Sequence, residues 1–279
     1  MATTAVRALV LRGYGFNCEE ETAAGYRLCA AVPTVAFASD WFAGRVDLAD
    51  FDLLHLPGGF TFSDDLGSGL VFANRLKHGF FPDGTSIWAS ITAFMQGGGR
   101  IIGVCNGFQI LVRAGLVPNI GGTFAQEVSL AANLSGHFED RWVRCVADET
   151  GALRLGRREF ELPVRHGEGR LVFGSSVLRD EALARGLIAL RYADADGQGT
   201  AAYPANPNGA EEACAGLFSS DGAVFGLMPH PEAYLTPYNH PAWAARFRQG
   251  VMDDATQSDG LALLRGVVAG AAAAKAARC

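Results

Sequence analysis

The chain has 279 residues, 49% of them hydrophobic, which is enough to form the core of a globular α/β protein. A formal net charge of −6, without a long Lys/Arg block, argues against binding to nucleic acid or to an anionic membrane. Six dispersed cysteines in a chain of this size are expected to be reduced thiols, so we expect a cytoplasmic protein without a signal peptide or a membrane span.

The first half of the chain alternates predicted strands and helices. Apolar runs predict strands at 6–11, 34–38, 51–56 and 101–104. A helix is predicted from a cap at Asn17 to about residue 31, another starts at Ser63, and a third covers 86–95. This alternation indicates βαβ units, and hence an α/β fold with a doubly wound, mainly parallel sheet and helices on both faces.

Beyond residue 116 the pattern changes to short strands separated by turns. Strands are predicted at 142–147, 160–164, 171–173, 213–218 and 223–228, and the first three indicate antiparallel additions at a sheet edge. Helices are predicted at 243–251 and 260–273. Because no repeat or linker divides the chain, residues 1–279 are expected to form a single domain with extra C-terminal helices.

Cys105 stands in the turn between a predicted buried strand and an amphipathic helix. Gly103 and Gly107 flank it, and glycines at these positions let the backbone bend sharply, as in a nucleophile elbow. A helix N-terminus favours thiolate over thiol. The sequence therefore predicts a nucleophilic cysteine, although a buried structural cysteine would leave the same short pattern.

Two further turns follow predicted strands, and ligands collect at such strand ends in parallel sheets. The backbone N–H of Gly59, together with that of Asn106, could hold an oxyanion formed on a carbonyl that Cys105 attacks. His230 and Glu232 are two residues apart, so on an extended segment both project to one side and the carboxylate fixes the imidazole tautomer. The three turns together predict a Cys-His-Glu triad.

These motifs resemble class I (triad) glutamine amidotransferases. Further motifs narrow the resemblance to the glutaminase subunits of phosphoribosylformylglycinamidine synthases: N-C-E at 17–19, G-F-T-F-S-D at 59–64, N-G-F-Q at 106–109, H-G-E-G at 166–169 and N-P-N-G at 206–209. The resemblance extends from about residue 6 to residue 232, which is most of the chain.

The resemblance implies glutamine hydrolysis through a cysteinyl thioester, with ammonia supplied to an ATP-dependent partner in de novo purine biosynthesis. It implies that Cys105 is the nucleophile and that His230, oriented by Glu232, moves the protons. It also implies that Gln109 touches the substrate's amino end, and that a glycine-rich loop approaches the substrate's α-carboxylate. That loop comprises His166, Gly167 and Glu168. The alternative is that the loop is a simple β-turn, in which His166 and Glu168 have no role in substrate binding.

The resemblance also implies a synthetase subunit and a small accessory subunit as partners. The sequence has no G-x-x-x-x-G-K-[ST] motif, so ATP and magnesium are expected on the synthetase, with no cofactor or metal in this chain. Gly67 departs from the family pattern, which usually has an arginine near this position. Two alternatives are open: another Cys-His-Glu hydrolase of the same fold, such as a γ-glutamyl hydrolase or peptidase, and a non-catalytic regulatory subunit.

Overall fold

A nine-stranded mixed sheet forms the centre of the computed structural model, which describes residues 5–63, 66–147 and 159–278. The order across this sheet, with strands numbered along the chain, is β2-β1-β3-β4-β11-β10-β9-β6-β7, and β5 pairs with β8 in a second sheet. The strands are β1 (Arg7–Arg12), β2 (Val32–Phe37), β3 (Leu53–Leu56), β4 (Arg100–Val104), β5 (Val128–Ala132), β6 (Glu139–Ala147), β7 (Glu159–His166), β8 (Glu168–Phe173), β9 (Ile188–Ala193), β10 (Cys214–Phe218) and β11 (Val224–Leu227).

The large sheet has a parallel half and an antiparallel half. Strands β2, β1, β3, β4 and β11 pair in parallel. Strands β10, β9, β6 and β7 extend the sheet by antiparallel pairing, starting from β11. The predicted α/β fold, with antiparallel additions at one edge, is confirmed.

In the described residues, helices occur between the strands and after the last one. They are α1 (Glu19–Leu28), α2 (Ala38–Phe42), α3 (Leu70–His78), α4 (Ile87–Gln96), α5 (Asn106–Arg113), α6 (Ser176–Ala184), α7 (Trp243–Arg248) and α8 (Asp259–Ala276). Helix α5 is buried from Asn106 through Val112 and contacts β3, β4 and β11, so it belongs to the core. Within the described ranges, every helix is too short or too polar to cross a membrane.

Several local predictions need correction. The strand predicted at 171–173 is part of β8, which pairs with β5 and does not extend the edge of the large sheet. Strand pairing is a non-local property, so a short apolar run cannot identify its partner. The helix predicted from Ser63 begins at Leu70, after Gly69 in a left-handed conformation; Asp64 and Asp65 lie outside the described residues. Strands β5 and β9 and helices α2 and α6 have no counterpart among the predicted elements.

The cap predicted for the first helix is also wrong. The N-cap of α1 is Cys18, which has a left-handed backbone (φ 67°) and no capping side-chain bond. Asn17 is held by other partners: its N–H donates to the carbonyl of Gly58 at 2.9 Å, and its Oδ1 accepts from the Cys18 thiol at 3.1 Å. The loop before α1 is thereby attached to the turn after β3.

Three neighbouring parallel strands bring the predicted motifs to one edge of the sheet. In the β3–β4 pair Leu56 is opposite Gly103, and in the β4–β11 pair Val104 is opposite Leu227. The carboxyl ends of the three strands are therefore level, and the turns that follow them meet above the same part of the sheet.

We predict that Gly107→Ala destabilises the protein by about 1–3 kcal/mol or more, because overpacking of a tight core has this cost. A Cβ at this position in α5 would lie 1.9 Å from the carbonyl oxygen of Leu56, so the helix and β3 would have to separate. Urea-induced unfolding measures the effect. The control is Gly270→Ala in α8, where a Cβ meets nothing within 4 Å and should stabilise the helix by about 0.5–1 kcal/mol. Equal stabilities of the two variants would contradict the close packing of α5.

Candidate active site

The Cys105 turn has the strained geometry of a nucleophile elbow. Cys105 has φ 51° and ψ −104°, which a residue with a side chain adopts only when its surroundings enforce it. Its N–H donates to the carbonyl of Leu227 at 2.8 Å, which fixes the elbow to the end of β11. The thiol is 3.5 Å from the carbonyl oxygen of Arg165, and Cys105 as a whole is 6% exposed. The sulfur is thus held at the N-terminus of α5, as predicted.

The turn after β3 requires glycine at position 59. Gly59 has φ 140°, and a Cβ on it would lie 2.2 Å from the carbonyl oxygen of Gly15. The turn is attached to the elbow, since the N–H of Gly107 donates to the carbonyl of Pro57 at 3.1 Å. In the described part of the chain, no acceptor bonds the N–H of Gly59 or that of Asn106. Both groups are therefore free to donate to a ligand, as an oxyanion site requires.

His230 and Glu232 form the predicted imidazole–carboxylate pair. Nδ1 of His230 lies 2.6 Å from Oε1 of Glu232, and both side chains are buried. The backbone at Pro231–Ala233 is a 3-10 turn, so the extended segment that we predicted is wrong, although the contact is present. A Cβ on Gly58 would lie 2.7 Å from Cε1 of His230 and 3.6 Å from Cβ of Cys105. The ring and the cysteine thus pack against the same glycine.

Burial and the contact between the two side chains have opposite effects on the pKa values of His230 and Glu232. Burial disfavours the imidazolium, but the Glu232 carboxylate and the nearby thiols of Cys105 and Cys18 outweigh it and hold the pKa of His230 well above its usual value. Burial likewise disfavours the carboxylate, but His230 outweighs it and lowers the pKa of Glu232. Each member of the pair therefore favours the charged form of the other, and a second thiol, Cys18, lies beside the ring.

A chain of neutral hydrogen bonds joins the loop after β3 to the loop between β7 and β8 through the start of α5. Oδ1 of Asn106 accepts from the N–H of Thr61 at 3.1 Å and from its hydroxyl at 2.8 Å. Nδ2 of Asn106 donates to Oε1 of Gln109 at 2.9 Å, and Nε2 of Gln109 donates to the carbonyl of Glu168 at 2.6 Å. We did not predict this role for the Asn106 side chain. The amide of Gln109 links α5 to the loop between β7 and β8, and its contact with substrate stays a prediction.

The glycine-rich loop between β7 and β8 is held by an asparagine. Asn133 donates from Nδ2 to the carbonyl of His166 at 2.7 Å and from its N–H to the carbonyl of Gly167 at 2.9 Å. Nδ1 of His166 lies 3.1 Å from Oδ1 of Asn133. Burial, with the charge of His230 as a smaller cause, lowers the pKa of His166 to about 4. His166 is therefore a neutral ring near the site.

Gly67, where the resemblance predicts an arginine, lies beside an arginine from another element. A Cβ on Gly67 would be 2.7 Å from Nη2 of Arg113, at the end of α5. Nε of Arg113 donates to the carbonyl of Ser68 at 2.7 Å, and Nη2 is 3.9 Å from Oε2 of Glu168. The guanidinium of Arg113 therefore fills the space beside Gly67 and connects it to Glu168.

His55 and Cys18 are the ionisable groups of the site that our catalytic prediction left out. His55 lies within β3, fully buried, with Nδ1 2.7 Å from the hydroxyl of Tyr26 and Glu232 as a charged neighbour. The apolar pattern of 51–56 gave no signal for a role of His55. Cys18 belongs to the N-C-E motif, but nothing in that motif identifies His230 as its neighbour.

A thiol at an elbow, two unpaired N–H groups and an imidazole–carboxylate pair define a cysteine-dependent acyl-transfer site. Residues 5–263 match the family described as the CobB/CobQ-like glutamine amidotransferase domain. The chain therefore belongs to the glutamine amidotransferases, which confirms the resemblance seen in the sequence.

Curated relatives identify the branch of this family. The phosphoribosylformylglycinamidine synthase subunit PurQ of Methanococcus maripaludis is 35% identical over 240 residues, 85% of this chain and 85% of the relative. The subunit PurQ of Dehalococcoides mccartyi is 36% identical over 265 residues, 94% of this chain and 96% of the relative. A chain in the structure of PurLQS from Thermotoga maritima has the same fold, with TM-score 0.67, 24% identity and coverage of 95% of this chain and 99% of that one. Within the glutamine amidotransferases, the branch to which this chain belongs is that of the PurQ subunits.

We predict that the buried neutral histidines make the protein acid-sensitive. Burial lowers the pKa of His55 from 6.5 to about 4, so between these values the unfolded chain binds a proton that the folded protein does not. The free energy of unfolding should therefore fall as the pH decreases from about 6.5 to 4. His55→Gln, which keeps a hydrogen-bonding group beside Tyr26, should reduce this slope by up to about 1.4 kcal/mol per pH unit.

Urea-induced unfolding at several pH values between 4 and 7 measures the slope. The control variant is His78→Gln, because His78 is exposed at the end of α3. An identical slope in wild type and His55→Gln would contradict the assignment of a low pKa to His55.

Proposed function

We propose that this protein hydrolyses L-glutamine to glutamate and ammonia through a γ-glutamyl thioester on Cys105. The observation that carries the proposal is the meeting, at the ends of β3, β4 and β11, of unpaired N–H groups, a thiol and the His230–Glu232 pair. Each of the three has a separate part in acyl transfer. Membership of the PurQ family supports the choice of glutamine as the acyl donor.

In the first half-reaction the sulfur of Cys105 attacks the side-chain carboxamide carbon of glutamine. The carbonyl oxygen becomes an oxyanion, and the N–H groups of Gly59 and Asn106 donate to it. His230 gives a proton to the departing nitrogen, the C–N bond breaks, and ammonia leaves. The thioester remains on Cys105.

In the second half-reaction water replaces ammonia. Neutral His230, oriented by the Glu232 carboxylate, takes a proton from a water molecule, which attacks the thioester carbon. The same two N–H groups hold the second oxyanion. The C–S bond breaks, glutamate leaves, and the proton on His230 restores the starting state.

The loop at His166, Gly167 and Glu168 is proposed to bind the α-carboxylate and amino group of glutamine. Support comes from its rigid attachment through Asn133 and from the link between Gln109 and the carbonyl of Glu168. Because the same link continues through Asn106 to Thr61, binding at this loop and the geometry of the oxyanion turn are expected to be coupled.

The ammonia is proposed to serve an ATP-dependent synthetase subunit that converts formylglycinamide ribonucleotide to formylglycinamidine ribonucleotide, with a small accessory subunit in the same assembly. The names of the relatives support this partner, and the lack of a G-x-x-x-x-G-K-[ST] motif supports placing ATP and magnesium on it. The surface near the site also supports docking. Phe60 and Phe138 are each about half exposed, with ring centroids 6.4 Å apart, and exposed apolar groups of this kind often mark protein interfaces.

We predict that Cys105→Ala lowers glutamate release from glutamine by more than about a thousandfold, because the acyl acceptor is lost. Glu232→Gln should lower kcat by about a hundredfold or more, since the imidazole loses its orienting charge. Cys29→Ala is the control, because this thiol, 3.9 Å from the carbonyl of Leu261, lies outside the site. The assay measures glutamate with and without the purified synthetase subunit, which should accelerate the wild type.

Two results would contradict the proposal. Full activity in Cys105→Ala would exclude the thioester mechanism. Cleavage of γ-glutamyl peptides without any glutamine hydrolysis, even with the synthetase present, would instead identify a stand-alone hydrolase of the same fold.

A further inference from the structure

His55 lies on the face of the large sheet that α1 covers. Leu56 packs against Gly107 of α5, and side chains alternate along a strand, so His55 faces the opposite side, where it meets Tyr26 of α1. The 3-10 turn that holds Glu232 contacts α1 as well. The charge of Glu232 acts on both His55 and Tyr26. The three side chains therefore share one buried region behind the site.

Two of these side chains each have one buried polar atom without a partner. Nε2 of His55 and Oε2 of Glu232 make no hydrogen bond within the described residues. Their other polar atoms are occupied: Nδ1 of His55 lies 2.7 Å from the Tyr26 hydroxyl, and Oε1 of Glu232 lies 2.6 Å from Nδ1 of His230. A buried polar atom without a partner costs free energy, and a charged one costs more, so both atoms call for a partner.

Only one tautomer of His55 suits a carboxylate neighbour. Burial lowers the pKa of His55 to about 4, so the ring is neutral at pH 7 and has a single N–H. A carboxylate only accepts hydrogen bonds, so Oε2 of Glu232 needs a donor. When the Tyr26 hydroxyl donates to Nδ1, the ring proton is on Nε2 and is available to Oε2. With the proton on Nδ1, Nε2 and Oε2 would be two acceptors in one buried region.

The other groups near the carboxylate do not supply this donor. The Cys18 sulfur lies within 4.8 Å of a carboxylate oxygen of Glu232, but its thiol donates to Oδ1 of Asn17 at 3.1 Å. Burial raises the pKa of Cys18, so the thiol keeps that proton. His230 is bonded to Oε1. Of the two histidines whose charge acts on Glu232 in the described part of the chain, His55 is the one with a donor left for Oε2.

We propose that His55 is a positioning residue that holds the Glu232 carboxylate in place behind His230. The Tyr26 hydroxyl donates to Nδ1 of His55, and the Nε2–H of His55 serves Oε2 of Glu232. This last link passes through one buried water, since the two atoms make no direct hydrogen bond and buried waters commonly join such groups. Oε1 then orients the ring that serves Cys105. The role rests on the proposed glutaminase function.

The relay acts on the carboxylate and not on the substrate. A carboxylate bonded at one oxygen can rotate, whereas bonds at both oxygens fix its plane and hence the direction of the His230 ring. A donor at Oε2 also stabilises the charged form of Glu232 and so weakens its affinity for a proton. Loss of that donor should therefore slow turnover and move the acid limb of the pH profile to higher pH.

Steady-state glutamate release, measured between pH 6 and 9 with the synthetase subunit present, tests this role. His55→Leu should lower kcat about tenfold, the effect of one hydrogen bond to a charged group, and leave KM within about twofold. Its acid limb should move up by about half a pH unit or more. His55→Gln should keep most of the wild-type kcat, because its amide can accept from Tyr26 and donate towards Glu232.

The matched control is His240→Leu, the same change at a buried histidine outside the site. The charged neighbours of His240 include Arg246 and Glu161, and its ring packs against Trp142. This variant should keep the kcat and the acid limb of the wild type. A His55→Leu enzyme with the kcat and pH profile of the wild type would overturn the proposal. So would a His55→Gln enzyme as impaired as His55→Leu, because a donor would then not be what matters.

Nuclear magnetic resonance tests the order of the protons without reference to activity. In long-range ¹H–¹⁵N spectra of the full chain labelled with ¹⁵N-histidine, protonated and unprotonated ring nitrogens have distinct shifts. The His55 signals are those missing from His55→Gln. At pH 7 His55 should have a protonated Nε2 and an unprotonated Nδ1, and a proton on Nδ1 would overturn the relay. A wild type with the expected tautomer but without glutaminase activity would leave the link to Glu232 standing and overturn the proposed function.

Discussion

The level pairing of β3, β4 and β11 is the constraint on which the site depends. Each strand ends one to three residues before a functional residue, and the pairs Leu56–Gly103 and Val104–Leu227 set the strand ends side by side. A slip of one residue would also turn the buried side chains of a strand to the other face of the sheet, so the hydrophobic core enforces the register. The free energy of core packing thereby fixes the relative positions of reactive groups that are far apart in the chain.

Close contact between α5 and the sheet gives the elbow its shape. A Cβ on Gly103 would lie 2.5 Å from the backbone of Gly107, and a Cβ on Gly226 would lie 2.0 Å from the ring of Phe108. Glycine on both strands and on the helix lets the helix start directly above the end of β4. The chain must then turn within one residue, and Cys105 takes the positive φ that this requires.

Much of the fold and the three triad residues could be predicted, because the sequence patterns that indicate them are local. The elbow shows as glycines on both sides of Cys105, and the His230–Glu232 pair shows as a two-residue spacing. The pairing of β8 with β5 could not be predicted, because it is decided by contacts across the chain. For the same reason the cap predicted at Asn17 is wrong. The N–H of Asn17 donates to the carbonyl of Gly58, which lies on another loop, and this contact has no local sequence pattern. The placement of Cys18 beside His230 follows from that long-range bond and has no local signal.

The hydrogen-bond chain from Thr61 through Asn106 and Gln109 to the carbonyl of Glu168 contains no group that ionises near neutral pH. Its strength is therefore largely indifferent to acidity and to ionic strength, whereas the imidazole–carboxylate pair gains and loses protons. The scaffold that spaces the loops and the groups that exchange protons are thus separate chemical systems. Such a division lets the charge state cycle during turnover while the frame around it keeps its dimensions.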